Sequence, residues 1–285
     1  MNRAAQHLVR VGGLVLAAGL ASTFLVRYSP GALVDERELN QRLSEDDLAA
    51  LRSHRADSSR LGANFLAYLK GLAHGDLGYS ESNNSPVAAL IADRAPATLR
   101  ELAIGLSGGW LIGLGLAIPI GLIPGAWLLD TATGAFAGLL MSLPAALLAY
   151  FCLAAGAASS AVLVIVLAPR VFRFARNLLA QSYQAVHVEA ARSRGIRERT
   201  ILWAHVVPDV APQFLALFAS SVSMAIGAAI PIEAICDTPG LGRLAWQAAM
   251  ARDVPLLVNL TMLVALATIL SAMVADLLTH RENAP

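Results

Sequence analysis

Few residues in this chain have the type and spacing to do chemistry. Gly105-Leu106-Ser107-Gly108 spells a G-x-S-G in which a serine nucleophile can sit inside an apolar helix. Such a serine needs a histidine base within hydrogen-bond reach. The candidate bases are His187, His205 and His280, and all stand at the ends of apolar runs rather than beside Ser107. Ser107 therefore reads as a helix-packing serine. Cys152 and Cys236 are the only cysteines; two make neither a disulfide framework nor a metal site, and they read as packing residues. A nucleotide-binding loop needs G-x4-G-K-[ST]. The only lysine is Lys70, in Leu69-Lys70-Gly71-Leu72, so any ATP-driven step must use another chain's loop.

Two clusters remain. Residues 188–212 are the most arginine-rich stretch in the second half of the chain and hold Glu189-Ala190-Ala191, then Gly195, then Pro208. Small alanines give a thin helix face that fits another protein's groove. Gly195 permits the positive-φ corner between two helices, and Pro208 starts or redirects the next helix. Glu189, Arg192 and Arg194 offer charged contacts at the rim. Taken singly, the arginines read as topology signals that touch anionic lipid. The second cluster is Glu233, Pro239, Gly240, Gly242 and Asp253. It reads either as a lining or gate for solute entry or as a compact turn that positions helices. A gate predicts that Gly240→Val abolishes uptake and leaves assembly intact.

The elements that must carry these residues follow from hydropathy. The chain has 285 residues, 56% hydrophobic and 14% charged, with mean hydropathy +0.60; soluble domains carry about 25% charge. Apolar runs near 20 residues predict membrane-spanning helices, at 11–26, 99–123, 131–153 (interrupted by Pro144), 161–174, 212–230 and 256–278. The first run reads equally as a signal peptide, with small residues at 18–22, or as a retained span. The chain turns basic with Arg170, Arg173, Arg176, Arg192, Arg194, Arg197 and Arg199, and the cluster at 173–199 places that side in the cytoplasm. Six crossings then put both termini there, in agreement with Arg3, Arg10 and Arg281. Gly105, Gly109 and Gly113, and again Gly121 and Gly125, have the spacing that lets membrane helices approach closely.

The chain thus divides into an N-terminal transmembrane helix (1–27), an extracytoplasmic loop region (28–98) and a core of five spans (99–285) with a cytoplasmic loop at 185–208. Within the loop region, Ser44 and Asp47 resemble a capping box ahead of Leu48 and Leu51. After Ser58 and Ser59, Leu61, Phe65, Leu69 and Leu72 form a helical stripe that Gly75 ends. Asn83-Asn84-Ser85-Pro86 predicts a turn before a short helix. A net charge of +1 gives no sign of nucleic-acid binding.

Against that background, Glu189-Ala190-Ala191 with Gly195 and Pro208 resembles the coupling loop of ABC importer permeases. His205-Val206-Val207-Pro208 resembles the dipeptide/oligopeptide/nickel branch in particular, although His205 stands where the general importer motif has an apolar residue. Other matches to that branch are Pro30-Gly31 and Gly75-Asp76-Leu77-Gly78-Tyr79-Ser80. So are Pro86-Val87, Ile91, Arg94, Pro96 and Thr98-Leu99. Later come Glu233, Pro239-Gly240-Leu241-Gly242, Leu244, Arg252-Asp253-Val254-Pro255 and Asp276-Leu277-Leu278. The resemblance is weak over 33–60 and 127–180, and the tail lacks the family's D-P-R ending.

The resemblance implies an all-α membrane protein with the six-helix fold of a type I ABC importer permease, in a bacterial cytoplasmic membrane. It implies a second permease, usually a different chain, two ABC ATPases that bind ATP and magnesium, and an extracytoplasmic binding protein. The expected function is alternating-access import of di- or oligopeptides or related small solutes, with no cofactor, metal site or catalysis in this chain. An autonomous channel or secondary transporter, and an intramembrane serine protease, are the alternatives.

Overall fold

The computed structural model describes residues 12, 13, 17, 19–21, 71, 75–122 and 127–282. The first predicted span lies largely outside the described residues. The helix-signal residues Ser44, Asp47, Leu48, Leu51, Ser58, Ser59, Leu61, Phe65, Leu69 and Leu72, with Gly125 and the last three residues, lie outside them. The described chain is helical apart from a two-stranded hairpin, β1 (Tyr79–Ser80) and β2 (Ser85–Pro86). The helices are α1 (Val87–Leu122), α2 (Trp127–Ser142), α3 (Ala145–Ala154), α4 (Ser159–Tyr183), α5 (Val186–Ser193) and α6 (Glu198–Ile201). A π turn (Leu202–Val206) leads into α7 (Val207–Ile235), followed by α8 (Leu241–Met250) and α9 (Val254–Glu282). Among the described residues three helices are long and apolar enough to cross a membrane, at Val87–Pro119, Glu198–Ile235 and Val254–Val274, and a bent pair, Leu128–Ser142 with Ala145–Ala154, makes a fourth if counted as one span.

Several predicted boundaries shift for identifiable reasons. The helix expected from 99 begins at Val87, and Pro96 lies inside it. Asn84, with φ +49, makes the predicted turn, but that turn closes the β1–β2 hairpin and leads into a 36-residue helix instead of a short one. The span expected at 131–153 turns a corner of 98°. Pro144 has no N–H to donate and pushes the residue before it out of the helical region, so α2 ends and α3 starts anew. Helix α4 runs nine residues past the predicted 174, because its arginines lie in a helix that continues beyond the apolar run.

The span expected at 212–230 is part of one helical stretch, Glu198–Ile235. Pro208 does not break it: the preceding turn widens so that the Val207 N–H bonds the Leu202 carbonyl five residues back. A π turn of this kind absorbs a missing ladder bond. The outer turn expected at 233–255 contains α8, which buries Leu244 and Ala248 and exposes Trp246 and Met250.

The chain separates into two compact units, Met1–Asp93 with Ala245–Leu266, and Arg94–Leu244 with Ala267–Pro285. In the first, Asp253 precedes α9 and its carboxylate accepts the Leu256 N–H at 3.1 Å, an N-cap. The same carboxylate accepts from the Ser80 hydroxyl at 2.6 Å and from the Ser82 hydroxyl and N–H at 2.7 and 3.0 Å, which fastens the hairpin to the start of α9. Asn259, one turn further on, donates to the Leu77 carbonyl at 2.8 Å.

In the second unit α4 is the central element. Leu163 and Leu167 of α4 pack with Leu148 of α3 and Ile232 of α7 in one core, and Phe172 and Ala175 pack with Ala117 of α1 and Ala137 of α2 in another. The glycine ladder of α1 lies flat on α4. A methyl group at Gly105 would collide with Leu163, and one at Gly109 or Gly113 would come within 2.7 Å of Leu167 or Val171. The backbones approach as the spacing predicts.

Candidate functional site

Three arrangements bear on function. The first is the segment between α4 and α7. Helix α5 ends in a Schellman turn: Gly195, at φ +74, donates to the Arg192 carbonyl at 3.0 Å, and Ile196 donates to the Ala191 carbonyl at 3.3 Å. Only glycine takes that φ without strain, so the chain reverses here into α6. Beneath the turn, Val188, Ala191, Ile201, Val206 and Val210 pack with Leu179 of α4 in a buried cluster, with Ile196 at its edge. Ser182 at the end of α4 donates to Asp209 at the start of α7 at 2.6 Å. The segment is therefore a folded elbow on the ends of α4 and α7.

The predicted coupling residues separate on this elbow. Glu189, Ala190 and Arg194 are exposed, together with Val186 and Trp203. Ala191 faces inward, so only one alanine of the pair presents a thin outer surface. Arg192 is half exposed, but its guanidinium is already engaged in a fork with Glu198, Nε to Oε1 at 2.6 Å and Nη2 to Oε2 at 3.2 Å. Glu198 carried no signal of its own; its spacing of six from Arg192 fits no helical pairing rule.

The second arrangement surrounds Glu233, which is completely buried. Thr98 of α1 donates to one carboxylate oxygen at 2.6 Å, and the Gly242 and Arg243 N–H groups donate to the other at 2.7 and 3.2 Å. The Leu241 N–H closes the ring by donating to the Thr98 hydroxyl at 2.7 Å. Glu233 thus occupies the N-terminus of α8, where free N–H groups and the helix dipole favour a carboxylate. Gly240 and Gly242 are glycines for space: a methyl at Gly240 would collide with the Glu233 carboxylate, and one at Gly242 would lie 2.6 Å from Ile230 Cα. The two readings of this cluster now differ physically, because Glu233 is spent on holding α8. A bulky residue at Gly240 would disrupt that packing, so Gly240→Val does not separate gating from assembly. One turn beyond Thr98, Glu101 is also buried and accepts from the Ser159 hydroxyl at 3.0 Å, at the start of α4. Thr98 and Glu101 were missed as a set; an acidic residue inside an apolar run was the available signal.

The third arrangement is the Asp253 anchor. Burial alone would raise its carboxyl, but the hydrogen bonds from Ser80, Ser82 and Leu256 outweigh it and hold the group below the usual carboxylate range. Asp253 is 1% exposed. The Gly75–Ser80 and Arg252–Pro255 motifs, far apart in sequence, meet here. Ser107 offers no nucleophile: its hydroxyl donates to the Ala103 and Ile104 carbonyls at 2.7 and 3.2 Å. The neighbouring Gly108 packs on Val164, and His187 follows the far end of α4, about 30 Å of helix away.

Comparison with known proteins identifies the family. Residues 113–281 match the family described as binding-protein-dependent transport system inner membrane component. A Brucella suis protein named as a peptide permease is 27% identical over 97% of this chain and 96% of its own length. The nickel import system permease protein NikB of Staphylococcus aureus is 25% identical over 95% of this chain and 88% of its own. A chain from inward-facing crystals of the MetNI methionine ABC transporter shares the fold, with TM-score 0.58 over 69% of this chain and 98% of that one, at 18% identity. The chain belongs to the binding-protein-dependent transport system inner membrane component family and is a transmembrane subunit of an ABC importer in a bacterial inner membrane.

Proposed function

We propose that this subunit carries di- or oligopeptides, or related small solutes, across the cytoplasmic membrane by alternating access, driven by ATP hydrolysed in partner chains. The observation that carries this reading is the elbow: an exposed Glu189, Ala190 and Arg194 surface folded rigidly onto the ends of α4 and α7. A surface of this kind passes a push from a docked partner into two long helices. One of two ABC ATPases that bind ATP and magnesium docks there, a second permease of different sequence completes the pathway, and an extracytoplasmic binding protein delivers the solute. Both termini face the cytoplasm in this reading. The chain itself performs no catalysis. Peptide is favoured as cargo by the name of the Brucella relative, which aligns over nearly its whole length. The outer residues Glu233, Pro239, Gly240, Gly242 and Asp253 serve the pathway by fixing the helices that frame it.

The test is reconstitution of the intact complex in proteoliposomes, with mass spectrometry of the ligand that co-purifies with the binding protein. ATP-dependent uptake of a co-purifying peptide, lost in Glu189→Arg, is expected. Uptake that proceeds with no ATPase present overturns the reading in favour of an autonomous transporter, and a co-purifying metal ion overturns the peptide assignment.

A further inference from the structure

The arginine that the motif offers to a partner is engaged with a neighbour on the surface of the elbow. Arg192 lies in the last turn of α5, and Glu198 is the first residue of α6. Between them stands the Schellman turn at Gly195, so their bidentate pairing spans the corner. The planar guanidinium fork fixes both the distance and the angle of its carboxylate partner, which a lysine cannot do. Glu198 in turn begins the helical stretch Glu198–Ile235, which carries the buried Glu233 near its far end. The backbone turn and the side-chain fork together leave α5 little freedom to hinge against that stretch. By contrast, Arg194, two residues on, is exposed at the C-cap and forms no such corner brace.

We propose that Arg192 and Glu198 are positioning residues: their fork locks α5 to the helix that enters the membrane, so that movement of a partner docked on α5 becomes movement of α7. Arg192 acts through Glu198 and not through the partner. The inference rests on the proposed docking of an ATPase at α5, but it assigns Arg192 a different task from Glu189, Ala190 and Arg194. Without the fork, α5 still docks and ATP is still hydrolysed, but the corner flexes and part of each stroke is lost.

The experiment measures solute imported per ATP hydrolysed by the complete complex in proteoliposomes, for wild type, Arg192→Ala, Glu198→Ala, the double alanine variant and the exchange Arg192→Glu with Glu198→Arg. Each single variant should lower the ratio about two- to fivefold, the scale of one exposed ion pair, while co-purification with the ATPases is unchanged. The double alanine variant should be no worse than either single one. The exchange should restore the ratio, because the fork is remade in the opposite sense. Raised salt should weaken coupling in wild type and leave the double alanine variant unaffected. If the exchange stays as defective as Arg192→Ala, or if Arg192→Ala releases the ATPases, Arg192 contacts the partner directly and the proposal fails. A wild-type chain that binds no ATPase would instead overturn the docking itself.

Discussion

The ring around Glu233 makes a quantitative claim. Replacing Glu233 by alanine removes the acceptor of the Gly242 and Arg243 N–H groups and of the Thr98 hydroxyl. The hydroxyl can turn to a carbonyl one turn back in α1, as Ser107 does, so its loss is small. The two N–H groups have no such recourse. Hydrogen bonds to a charged group contribute about 1.5–3 kcal/mol each, so Glu233→Ala should destabilise by about 3–6 kcal/mol. Glu233→Gln keeps an oxygen in front of both N–H groups but without the charge, which roughly halves each bond, a loss of about 1.5–3 kcal/mol. At about 2–4 °C per kcal/mol for domains of this size, the apparent Tm should fall by about 6–24 °C for alanine and by about half as much, about 3–12 °C, for glutamine. The assay is the thermal unfolding of the purified complex in detergent, followed by tryptophan fluorescence. If alanine lowers Tm by less than about 2 °C, or if glutamine costs as much as alanine, Glu233 is not the cap of α8 and the reasoning is wrong.

Other outcomes follow from individual contacts. Gly109→Val should prevent close approach of α1 and α4, at a cost of about 1–3 kcal/mol or more. Gly115→Ala, which meets nothing within 4 Å, should raise stability slightly through helix propensity; paired unfolding measurements decide this. Gly195→Ala has open space for its methyl but must hold φ +74, so it should cost about 1 kcal/mol and lower ATP-driven uptake without affecting expression. Asp253 has a folded pKa below its unfolded value, so its contribution is present above about pH 4 and lost as pH falls through the folded value. Asp253→Asn should flatten the acid side of the stability profile, measured as Tm against pH; an unchanged slope refutes the anchor.

What the sequence discloses depends on how local the physics is. Gly195 and the α1 glycines were legible because a positive φ and a backbone contact each need a residue without a side chain. Hydropathy marked the apolar stretches but not their ends, since Pro96 lies inside α1 and Pro208 lies within the continuous stretch Glu198–Ile235. The corner at Pro144 read only as an interruption, because whether a proline kinks or ends a helix depends on what the flanking residues pack against. The partners of Glu233 and Asp253 were hidden for a different reason. Thr98 lies 135 residues from Glu233, and Ser80 lies 173 from Asp253. No spacing rule reaches that far; the motifs were visible singly, and their pairing was not.

The unbroken stretch Glu198–Ile235 sets a fixed angular phase between its two ends. Each residue of an α-helix turns the side chains by about 100°. One residue inserted or deleted between 209 and 230 would therefore rotate Glu233 by that angle relative to the elbow. Glu233 and the α8 that follows it would turn together away from Thr98 of α1, even though the apolar length would hardly change. The π turn at Leu202–Val206 departs from regular α phase and so enters the same angular setting. In this helix the residue count is a rotational setting as much as a length, and a change of one residue should be poorly tolerated.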